Sequence, residues 1–195
     1  MAPDSIREQI VLASASPRRA ELLRAAGIGF DVHPVNVDET ALAGEAPRDY
    51  VARLAEAKAR EVHALDATRT VLAADTAVVV DAQILGKPLD EADARRMLRT
   101  LSARPHEVLT AVSVFHPGDI VDTRIDATTV EFASLSEADV DWYVASGEPM
   151  DKAGAYAVQG LASRFVTRID GSYSNVVGLP VALVYEMLTT KLLTF

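Results

Sequence analysis

Two nearly continuous apolar runs, residues 71–74 and 77–80, set the framework of this chain. Runs of this kind are typical of strands that are buried on both faces of a sheet. Asp75 and Thr76 stand between the two runs. A carboxylate there is costly to bury unless it is paired, hydrogen-bonded or bound to a metal. We therefore interpret Asp75 as a candidate functional residue, with a structural aspartate in a bulge or turn as the alternative.

The chain is predicted to fold back on itself directly after the second run. Residues 81–83 have the composition of a hairpin turn, and residues 84–85 begin a returning apolar segment. Lys87 lies at the end of that segment. In a hairpin of this length, Lys87 is expected to return to the neighbourhood of Asp75.

A second functional candidate is the stretch 12–23, LASASPRRAELL. Residues 10–13 predict a buried strand, Pro17 suits the first turn of a helix, and Ser16 is placed to cap it. A helix N-terminus carries partial positive charge and unpaired N–H groups. Further donors at this point come from Ser14, Ser16, Arg18 and Arg19. The pattern predicts a phosphate-binding loop, with a solvated surface helix as the alternative.

Two further segments carry charged residues whose role the local pattern leaves open. Residues 30–37 alternate as a strand does and are followed by the adjacent acids Asp38 and Glu39, which suit either ligands or an exposed loop. Residues 47–63 have apolar positions at helical spacing, with Lys58 beside the apolar stripe. A lysine there usually extends to solvent, so the pattern alone assigns it no function.

The second half of the chain continues to alternate helices and strands. Periodicity and turn residues predict a helix at 90–101, β runs at 108–115, 120–132 and 165–169, a helix opened by a capping motif at 136–139, and a last helix at 181–193.

Residues 149–160, PMDKAGAYAVQG, interrupt that alternation with small and polar residues. Such a loop lets a ligand approach the backbone closely. Gln159 offers both donors and an acceptor, which suits a base edge, although the residue alone is weak support.

Charge and composition exclude several classes of protein. The net charge of -9 argues against broad binding to nucleic acid or anionic membrane. The sequence has no cysteine, which excludes disulfides and thiolate metal sites. No apolar run approaches the roughly 20 residues that span a bilayer, and the N-terminal residues do not resemble a signal peptide, so we expect a cytoplasmic protein. The G-x-x-x-x-G-K-S/T, dinucleotide-binding and G-x-S-x-G motifs are absent from the sequence.

Several strings in the sequence carry a family resemblance. They are SASPRRAELL, the Asp38-Glu39 pair, AEAKA around Lys58, AADT with ILGKP, DKAGAYAVQG and GSYSNVVGLP. With these strings in this order, the chain resembles the Maf family of nucleoside triphosphate pyrophosphatases over nearly its whole length. The resemblance implies an elongated α/β mixed-sheet fold of the inosine-triphosphatase type, with two lobes around a central cleft. We expect residues 1–195 to form a single Maf-like domain, without linker-separated domains, and a homodimer.

The resemblance also implies a reaction and a set of site residues. DKAGAYAVQG resembles the dTTP/UTP branch, which hydrolyses these nucleotides to the monophosphate and pyrophosphate with Mg²⁺ or Mn²⁺. Asp75 matches the proton acceptor of the family, and Arg18, Thr76 and Gln159 match positions tied to substrate choice. The positions that match the polar cluster around phosphates and metal are Ser14, Arg19, Glu39, Lys58 and Lys87.

The division of roles at the metal stays open at this point. We interpret Glu39 as a metal ligand and Asp75 as the base, a ligand or both. The expected partner is a nucleoside triphosphate, without a stable nucleic-acid or membrane partner. The alternative is a non-enzymatic regulator of cell division that binds a septum protein or nucleic acid.

Overall fold

The computed structural model describes residues 9–190, which form a mixed sheet of seven strands together with six α-helices. The strands are β1 (Ile10–Leu12), β2 (Phe30–Val32), β3 (Val71–Val80), β4 (Gln83–Leu85), β5 (Pro105–His116), β6 (Ile120–Phe132) and β7 (Val166–Asp170). The helices are α1 (Pro17–Ala25), α2 (Pro47–His63), α3 (Glu91–Leu101), α4 (Glu137–Ala145), α5 (Tyr173–Val177) and α6 (Val181–Thr189). Three short 3₁₀ helices lie between α4 and β7.

The sheet combines parallel and antiparallel pairs. Its strand order is β2-β1-β3-β5-β6-β7, with β4 paired to β3. Strand β1 is parallel to both β2 and β3, whereas β3–β4 and β6–β7 are antiparallel. The mixed-sheet α/β class predicted from the sequence is therefore confirmed.

The chain divides into two compact units. Within the described residues, unit 1 comprises 9–75, 110–126 and 178–190, and unit 2 comprises 76–109 and 127–177. The long strands β3, β5 and β6 each contribute residues to both units. That the whole chain behaves as a single domain stays a prediction.

Unit 1 buries both faces of its strands. On β1, Ile10 and Leu12 pack with residues of α1 and α6, whereas Val11 packs with residues of α2. On β3, Leu72 packs on the same side as Ile10 and Leu12, and Val71 packs on the same side as Val11. The alternation of side chains along a strand explains this division, because successive residues point to opposite faces. The double burial matches the apolar runs seen in the sequence.

Unit 2 has a separate core that contains several aromatic side chains. The inner faces of α3 and α4 pack there against the ends of β3 and β6. Phe132 contacts Tyr156 edge-on, with ring centroids 4.9 Å apart. Asp90 caps α3 by accepting a hydrogen bond from Asp93 N, and Ser136 and Asp139 form the predicted capping box of α4. Both helices therefore begin where polar residues satisfy their first N–H groups.

Several predicted boundaries are wrong, and each error has a physical reason. The strand predicted at 30–37 ends at Val32, because its partner β1 has only three residues with which to pair. The runs 71–74 and 77–80 are one continuous strand through Asp75 rather than two. The two-residue turn Asp81–Ala82, with both φ angles positive, then joins β3 to β4.

The ends of two helices also differ from expectation. Ser16 occupies the N-cap position of α1 but its side chain makes no capping bond; its backbone N–H donates instead to Ser14 Oγ at 3.2 Å. Helix α6 ends at Thr189, and residues 191–193 of the predicted helix lie outside the described residues. Between residues 9 and 190, the structure has no helix that is long and apolar enough to cross a membrane.

Candidate active site

A buried lysine joins two carboxylates at the centre of the site in unit 1. Lys58 Nζ donates hydrogen bonds to Asp75 Oδ1 at 2.7 Å and to Glu39 Oε1 at 2.6 Å. Lys58 is 8% exposed and Asp75 is 7% exposed, whereas Glu39 lies at the surface. The hydrogen bond from Lys58 explains how the Asp75 carboxylate can be buried, because a buried carboxylate needs a charged or hydrogen-bonding partner.

Two regular elements bring this pair together. Lys58 lies on the buried face of α2, on the same side as Leu54, Ala55 and Val62. Asp75 lies in the buried strand β3. The side chain of Lys58 therefore does not extend to solvent, as lysines beside an apolar stripe usually do, but ends at the Asp75 carboxylate.

The environment of Asp75 favours its protonated form relative to an aspartate in water. Burial raises the pKa of Asp75, and the positive charges of Lys58 and Arg19 oppose that rise. A carboxyl group whose pKa is raised is a stronger base once it is ionised. Asp75 can therefore hold a proton more readily than a surface aspartate.

The loop between β1 and α1 contributes donors to the same unit. Ser14 Oγ accepts a hydrogen bond from Arg19 Nη1 at 3.2 Å, and Arg19 Nε donates to the carbonyl oxygen of Gly178 at 2.9 Å. Burial lowers the pKa of Arg19, while the charge of Asp75 raises it and that of Arg18 lowers it. Ser14, Arg18, Arg19, Glu39, Lys58 and Asp75 are thus brought into one unit, and Arg19 feels the charges of Glu39 and Asp75.

The segment that carries Glu39 is held on α2 by residues that the sequence analysis missed. Tyr50 Oη donates to the carbonyl oxygen of Glu39 at 3.0 Å, and Arg53 Nη2 donates to that of Thr40 at 3.2 Å. Arg53 also binds both oxygens of Glu45, at 2.6 and 2.8 Å. Glu45 and Arg53 are eight positions apart across a loop and a helix, so no periodic pattern connects them.

Unit 2 carries the remaining three predicted site residues. Thr76 is half-buried in β3, whereas Lys87 and Gln159 are exposed, the first after β4 and the second between two 3₁₀ helices. The expectation that Lys87 lies near Asp75 stays a prediction.

The loop that carries Gln159 contacts the chain at two points, one next to Lys87 and the other close to Thr76. Gly154 N donates to the carbonyl oxygen of Gly86, next to Lys87, at 3.0 Å. A Cβ on Gly154 would lie 2.8 Å from Val78, two residues beyond Thr76, and the φ of Gly154 is +67°. Only glycine adopts this backbone readily at so close an approach.

The acidic residues of the site suit a divalent cation with oxygen ligands. Among residues 9–190 there is no group of three or more His, Cys, Asp or Glu side chains that could hold a metal. Glu39 and Asp75 nevertheless converge on one lysine nitrogen, so two carboxylates lie close together. Mg²⁺ commonly uses one or two carboxylates and completes its shell with water and substrate phosphates. The residues present fit that mode of binding.

A buried carboxylate beside a lysine, and arginines at a helix start, are side chains that suit an enzyme acting on a phosphate-bearing substrate. Comparison with known proteins gives the particular family. A sequence profile described as Maf-like protein matches residues 9–191, and the chain belongs to this family. The family predicted from the sequence motifs is therefore confirmed.

Relatives match over most of their length. A protein of Anaeromyxobacter dehalogenans named dTTP/UTP pyrophosphatase is 55% identical over 177 residues, which cover 89% of each chain. A protein of Koribacter versatilis with the same name is 53% identical over 180 residues, 92% of each chain. A third, of Geotalea uraniireducens, is 51% identical over 93% of this chain and 94% of its own.

Solved structures of Ham1 proteins share the fold. The Staphylococcus aureus Ham1 protein has a TM-score of 0.51 and 17% identity, over 92% of this chain and 100% of its own. A HAM1 protein from Coxiella burnetii has a TM-score of 0.52 and 17% identity, over 91% of this chain and 98% of its own. At this identity the likeness concerns the fold alone.

Proposed function

We propose that this protein hydrolyses dTTP and UTP to the nucleoside monophosphate and pyrophosphate. Relatives at 51–55% identity over about nine-tenths of the chain are named for this activity. The observation that carries the proposal is the hydrogen-bonded chain Asp75–Lys58–Glu39, buried at Asp75 and exposed at Glu39. It supplies a base and a cation in a protein that is acidic as a whole.

Asp75 is proposed to accept the proton of the attacking water. The α–β phosphoanhydride bond breaks, pyrophosphate leaves, and the water oxygen remains in the products. Burial raises the pKa of Asp75, which strengthens it as a base, while the Lys58 charge opposes that rise. The hydrogen bond from Lys58 Nζ to Asp75 Oδ1, 2.7 Å long, also holds the carboxylate in one orientation.

The cations of the site are proposed to bind the triphosphate. Arg18 and Arg19 stand in the first turn of α1, where the backbone N–H groups also favour an anion. Arg19 is oriented by Ser14 and by the carbonyl of Gly178. Lys87 is proposed as a further phosphate ligand, on the strength of its place in the ILGKP motif alone.

Glu39 and Asp75 would hold a divalent metal ion, Mg²⁺ or Mn²⁺, together with the phosphates of the substrate. Such an ion, when bound, neutralises charge on the phosphates and polarises their oxygens. The hydrogen bonds of Tyr50 and Arg53 to the backbone at Glu39 and Thr40 would keep the surface ligand in place.

Thr76, Gln159 and Arg18 are proposed to select the base. Gln159 carries a donor and an acceptor that complement the polar edge of thymine or uracil. A site built for those groups rejects bases that leave its hydrogen-bonding groups unpaired. Gln159 is exposed in the structure, as a residue that meets a ligand must be.

The proposal is tested by measuring pyrophosphate release from dTTP, UTP, CTP, GTP and 7-methyl-GTP, with Mg²⁺ and with a chelator. We expect dTTP and UTP to be the best substrates and the chelator to stop the reaction. Release of single phosphates instead of pyrophosphate would contradict the reaction. A preference for 7-methyl-GTP would contradict the assignment of the substrate.

The non-enzymatic alternative, a cell-division regulator, has no support from the named relatives, which carry the name of an enzymatic activity. A homodimer and a location in the cytoplasm are also part of the proposal; the family resemblance implies the first, and the cysteine-free sequence is compatible with the second.

A further inference from the structure

The residues on either side of Gln159 are held by two side chains that the reaction does not use. Tyr143 is fully buried on α4, and its hydroxyl accepts a hydrogen bond from Ala157 N at 3.2 Å. The same hydroxyl donates to Glu148 Oε1 at 2.8 Å. Tyr143 therefore connects the backbone two residues before Gln159 to the Glu148 carboxylate.

Glu148 holds the backbone on the other side of Gln159. Its Oε2 accepts a hydrogen bond from Leu161 N at 3.1 Å, and its Oε1 accepts one from Ala162 N at 3.4 Å. The carbonyl oxygen of Glu148 accepts a further bond from Lys152 Nζ at 2.7 Å. The Glu148 side chain is thus fixed by hydrogen bonds at both oxygens, and charge-assisted bonds of this type are stronger than neutral ones.

A side chain at position 160, in the turn between these two anchors, would collide with the Glu148 carboxylate. Gly160 N donates to the carbonyl oxygen of Ala157 at 3.1 Å, which closes a tight turn around Gln159. A Cβ on Gly160 would lie 2.6 Å from the Cδ and Oε1 atoms of Glu148. Glu148 could avoid it only by giving up its hydrogen bonds to Tyr143 and the backbone.

We propose that Tyr143 and Glu148 form a clamp that sets the position of Gln159, and that they act as positioning residues for the choice of base. This inference rests on the proposed function, since it deepens the role given to Gln159. Held at Ala157 on one side and at Leu161 on the other, the backbone at Gln159 presents the side-chain amide to the base from one position. Without the clamp, that backbone samples several positions and the amide discriminates less between thymine and cytosine.

Packing of the Tyr143 ring is separable from the role of its hydroxyl. The ring lies in the core with Val140 and Val144 and contacts Phe165 edge-on at 5.5 Å. Phenylalanine keeps that ring and removes both hydrogen bonds. Tyr143→Phe therefore tests the clamp with the least change to the core.

The experiment measures kcat and KM for dTTP and for CTP, which differ at the polar edge of the base and also in the 5-methyl group and the sugar. The change in the dTTP/CTP ratio from wild type to variant is therefore the quantity compared, and not the ratio itself. The variants are Tyr143→Phe, Glu148→Gln, Gln159→Ala and the double variant Tyr143→Phe/Gln159→Ala, each assayed below its own melting temperature. We expect Tyr143→Phe and Glu148→Gln to raise the KM for dTTP about tenfold, change kcat less than about twofold, and lower the dTTP/CTP ratio of kcat/KM about tenfold. Added to Gln159→Ala, Tyr143→Phe should lower that ratio no further.

Two matched substitutions serve as controls. Tyr185→Phe removes a hydroxyl from an exposed tyrosine on α6, and Glu137→Gln neutralises a surface acid that pairs with Arg99. Neither should alter the dTTP/CTP ratio.

Three outcomes would overturn the inference. Tyr143→Phe and Glu148→Gln could lower kcat/KM for dTTP and CTP by the same factor, which is the result expected of a merely structural role. Their effects could add fully to that of Gln159→Ala, or Gln159→Ala could leave the ratio unchanged. A wild-type protein that releases no pyrophosphate from dTTP or UTP would instead contradict the proposed function itself.

Discussion

Asp75 is the residue to which we assign the role of general base. It is buried in a strand, bonded to a lysine and electrostatically coupled to Arg19. Asp75→Asn keeps the size of the side chain and removes its capacity as a base. We expect pyrophosphate release to fall by about 10²- to 10⁴-fold, the usual contribution of a general base. A thermal unfolding curve on the same sample checks that the fold is retained, and activity near the wild-type rate would contradict the assignment.

Lys58 influences the pKa of Asp75, the proposed base. Its positive charge lowers the pKa of Asp75 against the upward effect of burial. Lys58→Met removes the charge and leaves Asp75 buried, so the pKa should rise further. Because the ionised form accepts the proton, the acid limb of the pH profile of kcat/KM should move to higher pH. If the acid limb is unchanged in Lys58→Met, the ionisation of Asp75 does not produce that limb, even if the variant is slower than wild type.

His106 makes the stability of unit 2 depend on pH. It is 3% exposed, its Nε2 lies 2.9 Å from Tyr156 Oη, and burial lowers its pKa from 6.5 to about 4. The unfolded chain therefore binds the proton first as pH falls. The stabilisation from the neutral ring is complete above about pH 6.5 and is lost on acidification toward about pH 4, a change of about 3 kcal/mol.

Urea unfolding at about pH 7 and about pH 4 measures this change. His106→Gln should reduce the difference between the two free energies of unfolding by about 3 kcal/mol. The control is His33→Gln, at an exposed histidine, which should leave the difference unaltered. An equal pH dependence in wild type and His106→Gln would contradict the role of burial.

At the scale of the element, the segment between β2 and α2 has no regular structure to fix it. Arg53 binds Glu45 through two hydrogen bonds and the Thr40 carbonyl through a third. Arg53→Gln should release this segment and with it Glu39. We expect the Mg²⁺ concentration for half-maximal activity to rise about tenfold, as for other residues that orient metal ligands.

The control for this prediction lies on the same helix. Arg60→Gln removes an arginine that pairs with Glu56 one turn away, a surface contact of little energetic weight. It should leave the Mg²⁺ requirement unchanged. An equal Mg²⁺ requirement in Arg53→Gln and wild type would contradict the anchoring of Glu39 by Arg53.

Periodicity predicted helix α2 better than strand β2, and the reason is the range of the interactions involved. The apolar stripe of α2 lies within the helix itself, so its bounds at Pro47 and His63 could be predicted correctly. The length of β2 depends on β1, which is distant in sequence and pairs with only three of its residues. The length of β2 is therefore decided by a partner that a local window does not contain.

The candidate site was likewise predictable only where the signal is local in the sequence. Asp75 could be singled out because burial of a carboxylate has a large local cost. Its partner Lys58 could not be derived from the α2 pattern, since the contact crosses from a helix to a strand. The role proposed for Tyr143 and Glu148 could not be predicted from the sequence, because it depends on hydrogen bonds to backbone N–H groups that any residue carries.

At the scale of the whole molecule, the two units share their longest strands. The chain passes between them after Asp75, Leu109, Asp126 and Val177. A strand that is continuous across two units couples their unfolding, because losing one half removes pairing for the other. We predict a single cooperative transition in calorimetry, with equal calorimetric and van't Hoff enthalpies. Two separate transitions would contradict the expected single domain.

The division of the chain also bears on how such a protein can change its substrate in evolution. Asp75 ends one segment of unit 1 and Thr76 opens unit 2, while Gln159 lies in the second segment of unit 2. Genetic recombination between relatives usually exchanges one contiguous piece of a gene. Replacing unit 2 would require the simultaneous inheritance of 76–109 and 127–177. Given the proposed role of Thr76 and Gln159 in selecting the base, new preferences are expected to arise by point substitution within a lineage rather than by transfer of the whole unit.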